Sequence, residues 1–92
     1  MTMLDARTRR YTTLTDRQRE VLALAANGKT NAVISRRTGL SPVTVARHLS
    51  IVYRALGARD RANAVALALL LGELTREDID QPARRPTRTS AA

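Results

Sequence analysis

Residues 39–50 read GLSPVTVARHLS, and this stretch decides the fold. Gly39 accepts the left-handed conformation that ends a helix. Leu40 follows as a core plug. Ser41 is a helix cap, and Pro42 stands at a first helical position, where its missing N–H costs nothing. The pattern predicts a helix from Pro42 to about Leu56, stopped by Gly57. On a 3.6-residue period Val45, Leu49, Val52, Tyr53 and Leu56 share one face, which packs inward. Val43, Ala46, Arg47, Ser50 and Arg54 share the opposite face. An ordinary solvent face mixes both charge signs, yet no acidic residue stands between Glu20 and Asp60.

Upstream, residues 14–28 read LTDRQREVLALAANG. Thr15 with Gln18 three residues on is a capping box, and Asp16 suits the positive end of the helix dipole. Leu14 lies just before the cap, placed to staple onto the first turns. Val21, Leu22 and Ala25 form the apolar face of this first helix, and Asn27-Gly28 ends it. The second helix is short, KTNAVISRRTG, capped by Thr30 or Asn31, with Val33 and Ile34 inward. Downstream, Asp60 caps a fourth helix, RANAVALALLL, which Gly72 ends. Thr75 and Asp78 predict one further turn. No strand-like alternation occurs. The expected fold is all-α, a four-helix domain over residues 14–72. A basic arm (1–13) precedes it. A short acidic extension (73–81) and a basic tail (82–92) follow, and both the arm and the tail are expected to be flexible.

Composition narrows the function. The chain carries 16 Lys plus Arg against 8 Asp plus Glu, a formal net charge of +8, and all but one of the basic residues are arginine. That balance points to an anionic partner, first nucleic acid. Residues 14–72 alone are net +6, and residues 73–81 are net −3. With no cysteine there is neither a disulfide framework nor a thiolate metal site. No apolar run is long enough to span a bilayer, and the start, MTMLDARTRRYTT, lacks the apolar core of a secretory signal. A cytoplasmic protein without membrane contact is expected. Two tyrosines and no Phe or Trp supply almost no platform for stacking single-stranded bases.

A helix, a short Gly-containing turn and a second helix form the helix-turn-helix arrangement, whose second helix enters the major groove of duplex DNA. Small side chains let that helix sit deep, and the Arg47 fork matches guanine O6 and N7. Arg47 is therefore expected at a base or a phosphate, and Arg54, two turns on, at the backbone. Of Arg36 and Arg37, on the helix that crosses the backbone, one is expected to touch phosphate. Lys29, Thr30 and Asn31 stand at a helix N-terminus, a natural phosphate site. His48, the only histidine, lacks the partners that catalysis or metal binding needs. Its expected place is the edge of the core, making a hydrogen bond. No nucleophile, acid pair or cofactor motif is visible, so no enzyme and no cofactor are expected. The fourth helix is more apolar than one core face requires. With Val65, Ala68 and Leu69 inward, Asn63, Ala66, Leu67 and Leu70 are left over as a dimer contact, or as a face covered by the chain's own arm or tail. The arginines of arm and tail either track phosphates or serve as solubilising ends.

The segment from Leu14 to about Gly72 resembles the LuxR-type, or NarL/FixJ-type, DNA-binding domain. The resemblance rests on Leu14-Thr15, Arg17, Arg19-Glu20-Val21-Leu22, Gly28, Asn31, Ile34, Gly39, Ser41, Thr44-Val45, His48, Leu49, Tyr53, Leu56-Gly57, Arg61 and Ala64-Val65. It implies a third helix in the major groove and a fourth helix that pairs two copies. By position it implies base contacts at Ala46, Arg47 and Ser50, to which the outward face adds Val43. It implies phosphate contacts near Lys29, Thr30, Asn31, Ser41 and Thr44. Departures fall at Gln18, Val33, Ser35 and Thr38, which bear on local packing. Ala46 stands where Lys or Arg is usual, so the family's base preference does not transfer. The expected function is a small stand-alone transcription regulator, binding double-stranded DNA specifically as a homodimer. Two alternatives are a module that captures another regulator through helix four, and a promoter-recognition domain of the sigma-factor kind.

Overall fold

The computed structural model describes residues 14–80. The arm at 1–13 and the tail at 82–92 lie outside the described residues. Four α-helices form in chain order: α1 (Asp16–Ala26), α2 (Asn31–Thr38), α3 (Pro42–Leu56) and α4 (Arg61–Leu71). A 3-10 turn at Arg76–Asp78 follows, and no strand occurs among the described residues.

Each helix starts where a side chain satisfies a first-turn amide. Gln18 N–H donates to the Thr15 hydroxyl (3.1 Å), and Thr15 N–H donates back to Gln18 Oε1 (2.9 Å), completing the capping box. Thr30 accepts from Val33 N–H (3.2 Å), Ser41 from Thr44 N–H (3.1 Å) and Asp60 from Asn63 N–H (2.8 Å). Gly39 takes φ 78°, the left-handed cap that turns the chain from α2 into α3 within three residues. The Ser35 hydroxyl donates to Leu40 O, and Leu40 N–H donates to the Thr38 hydroxyl (3.2 Å), so the turn's backbone is paired from within.

The core has two adjoining halves. Val21, Ala25, Ile34, Val45 and Leu49 make one, holding α2 on α1 and α3. Leu14, Leu22, Val52, Leu56, Ala64, Ala68 and Leu74 make the other, holding α4. Helices α1 and α3 contribute to both halves and form the spine, with Tyr53 packed against each half. The face of α3 read from the sequence as inward is the buried one.

Helix α4 corrects the sequence reading. Ala64 and Ala68 are its buried residues, and Val65, Leu67 and Leu71 pack partly against the same cluster. Leu69, expected inward, is 42% exposed. An almost wholly apolar helix has no polar side to fix its rotation. The two buried alanines stand one turn apart, small enough for a helix to lie close on its neighbours.

The acidic stretch is tied to this body. Leu74 is buried in the second half-core. Arg19 donates from Nε (3.2 Å) and Nη2 (3.1 Å) to one Glu73 oxygen, and from Nη1 to Asp16 (2.9 Å). Burial works against the charge on Arg19, but the hydrogen bonds and charges of Glu73 and then Asp16 outweigh it and raise its pKa. The Asn27 amide donates to Ala23 O (2.9 Å) and Asp78 O (2.9 Å), and its oxygen accepts from Asp80 N–H (2.6 Å). The turn expected at Thr75 forms, with Thr75 N–H donating to Asp78 Oδ2 (2.8 Å).

Candidate nucleic-acid interface

Helix α3 is a spine of the fold on one side and bare on the other. At 100° per residue, Val43, Arg47, Ser50 and Arg54 cluster opposite the buried line Val45–Leu49–Val52–Leu56, with Ala46 on one flank. All five are exposed. Ile51, 40% exposed, lies on the other flank. Sequence reading passed over it, although its place four residues beyond Arg47 put it at the outward edge.

Glu20, Asp16 and Glu73 are held in ion pairs with arginines of α1. Glu20 accepts from Arg17 Nη1 (3.3 Å), whose Nη1 also donates to Thr38 O at the end of α2 (3.3 Å). Asp16 and Glu73 pair with Arg19. Among the described residues Lys29, Arg36, Arg37, Arg47, Arg54 and Arg59 have no ion pair. Arg36, Arg37, Arg47, Arg54 and Arg59 are exposed and Lys29 is half-buried. Arg59, in the turn between α3 and α4, was not singled out from sequence.

The start of α2 is held from a distance. Arg61, first residue of α4, donates from Nη1 to Lys29 O (3.0 Å) and from Nη2 to Asn31 Oδ1 (2.8 Å). Because Oδ1 is taken, the Asn31 side chain turns its NH2 donors away from Arg61. Thr30 serves as a cap, and the first-turn amides before Val33 keep donors to offer an anion. Eight residues, about 12 Å, separate this end of α2 from the turn into α3. There Ser41 donates to the Thr44 hydroxyl (2.9 Å), so two hydroxyls stand as a pair at the start of α3. Of the residues expected at phosphate, Lys29, Thr30 and Asn31 thus fall at the start of α2, Arg36 and Arg37 in its last turn, Ser41 and Thr44 at the start of α3, and Arg54 in the last turn of α3.

His48 sits half-buried at the edge of the core, but its Nδ1 is buried without a hydrogen-bond partner among the described residues. The hydrogen bond expected of it does not form at that nitrogen. Of the four leftover positions on α4, Asn63 accepts from Arg59 N–H (3.0 Å), Leu67 packs partly on the core, Ala66 is exposed and Leu70 is 81% exposed. The bare apolar stripe is therefore Ala62, Ala66, Leu69 and Leu70, spaced as one helix face. No helix among the described residues is long and apolar enough to cross a membrane.

A family model described as bacterial regulatory proteins, luxR family, matches residues 12–68. The chain is 56% identical over 54 residues to the probable transcriptional regulatory protein SgaR of Hyphomicrobium methylovorum, a match covering 59% of this chain and 26% of that protein. It is 39% identical over 61 residues to the spore germination protein GerE of Bacillus subtilis, covering 66% of this chain and 82% of that protein. It is 41% identical over 58 residues to the transcriptional activator protein BjaR1 of Bradyrhizobium diazoefficiens, covering 63% of this chain and 24% of that protein. The match thus spans about a quarter of SgaR and of BjaR1, and most of GerE.

Proposed function

The chain belongs to the luxR family of bacterial regulatory proteins, and from that premise we propose that it regulates transcription by binding double-stranded DNA as a homodimer, with α3 in the major groove. The supporting observation is the outward side of α3, exposed along its length and cationic without an acid to neutralise it. Phosphate contacts position the domain: Lys29, Thr30 and Asn31 at the start of α2, Arg36 and Arg37 at its end, Ser41 and Thr44 at the start of α3, and Arg54 toward its end. Val43, Ala46, Arg47 and Ser50 read base edges. No covalent step and no cofactor is involved. Regulation acts through occupancy of the site on the chromosome, in the cytoplasm.

Most of the binding free energy in this scheme is electrostatic, which makes salt the test. A dimer neutralising on the order of 8 phosphates should lose affinity with a slope of about −7 in log K against log salt. Fluorescence anisotropy of a labelled duplex across a salt series measures it, and a flat response contradicts phosphate docking. Binding by the chain alone also separates this reading from a sigma-like domain, which needs polymerase.

In this reading the second copy docks on α4, supported by the exposed apolar stripe of Ala62, Ala66, Leu69 and Leu70, where Leu70 is 81% exposed. Leu70→Glu should give monomers by light scattering with an unchanged helical circular dichroism spectrum. Dimers that persist would place the contact elsewhere. Leu67 is the wrong probe, because it also packs on the core. Two-fold pairing predicts an inverted repeat with half-site centres about 10 base pairs apart.

A further inference from the structure

The outward line of α3 contains Val43, Ala46, Arg47 and Ser50, and it contains no Asn, Gln, Asp or Glu. Bidentate reading of adenine falls to Asn or Gln, and reading of the cytosine amine to a carboxylate. Both readers are missing from this line. Arg47 supplies the fork for guanine O6 and N7. Val43 is 71% exposed, its isopropyl group left largely uncovered by residues 14–80. Pressed against N7, O6, O4 or an exocyclic amine, it would strip those groups of water and return no hydrogen bond. One feature of the major groove is apolar, the C5 methyl of thymine. Val43 and Arg47 are four residues apart, about 6 Å along the helix axis, or close to two base steps of about 3.4 Å.

We infer that each half-site presents a thymine methyl to Val43 and, within about two base steps, a guanine to Arg47. This assignment rests on α3 reading the major groove, as proposed above. Ala46, on the flank of the same line, leaves room for the groove wall and adds a second small apolar contact. Ser50 accepts or donates and so discriminates little.

The experiment starts from duplexes selected by the full chain out of a random pool. Each thymine of the enriched site is then replaced singly by deoxyuridine, which removes the 5-methyl group and leaves base pairing unchanged. Affinities are measured for the unaltered chain and for Val43→Ala. At one thymine per half-site, uracil should weaken binding by about fourfold, and by about fifteenfold when both half-sites are changed. In Val43→Ala the same replacement should make no difference, and a guanine should lie within two steps of that thymine. An enriched site whose thymines all tolerate uracil, or a uracil penalty that survives in Val43→Ala, overturns the assignment and leaves groove reading standing. A pool that yields no enriched site overturns groove reading by α3 and the assignment with it.

Discussion

Replacing Arg47 by alanine should weaken binding to the selected operator by about 1–3 kcal/mol per half-site, roughly 5- to 150-fold, and should relax preference at one base pair. Arg47 is exposed and has no ion-pair partner among the described residues, so the substitution removes nothing that supports the fold. Away from such supports a surface change stays within about 0.5 kcal/mol of stability, and the melting temperature should hold. The loss then falls on DNA alone. It is expected to exceed the loss on unrelated duplex, because base-edge contacts add to specific binding whereas phosphate contacts serve both. Arg36 or Arg37 makes the contrast: removing a phosphate contact weakens all sequences about equally and lowers the salt slope by about 1. Competition binding with matched and single-pair-altered duplexes measures the effect. Unchanged affinity and unchanged preference would remove Arg47 from the readout.

Leu22→Ala should cost about 2–5 kcal/mol of folding stability. Leu22 is fully buried and joins α1 to Val52 and Leu56 of α3, to Ala64 and Ala68 of α4, and to Leu74. Its loss opens a cavity at the junction of three helices. The small neighbours cannot fill it, since Ala64 and Ala68 have only a methyl group to offer. In a small domain with a total stability near the low end of about 5–15 kcal/mol, that is a large fraction. Thermal unfolding followed by circular dichroism should shift down by roughly 10–30 °C. A shift of only a few degrees would mean that the half-core under α4 contributes little, and that α1, α2 and α3 carry the fold alone.

Helix starts and stops were legible in the sequence because each has a local chemical cause. Thr15 with Gln18, Ser41 with Pro42, Asp60 and the glycines after each helix act within a few residues of where they stand. The inward faces of α1 and α3 were legible because charged residues on their other sides break the symmetry. Helix α4 was not, because nearly every residue in it suits a core, and the face that is buried runs through Ala64 and Ala68 rather than through its larger side chains. Links across thirty or more residues, Arg61 to Lys29 and Asn31 or Asn27 to Asp78 and Asp80, leave no periodic trace. The outward side of α3 could be read from charge and period together, since its lack of acids is visible in sequence. Ile51 on its flank was open to the same period, whereas the lack of a partner for His48 Nδ1 depends on how α3 packs against its neighbours.

The claim on which the rest depends is that the outward side of α3 meets the duplex. Titration of the 15N-labelled chain with its selected operator, followed by amide chemical shifts, tests it most directly. The largest changes are expected at Lys29 to Ala32 and from Ser41 to Arg54 on the outward line, with smaller ones at Arg36 and Arg37. Changes confined to α4 and the acidic stretch, with Val43, Ala46, Arg47 and Ser50 unmoved, would contradict it.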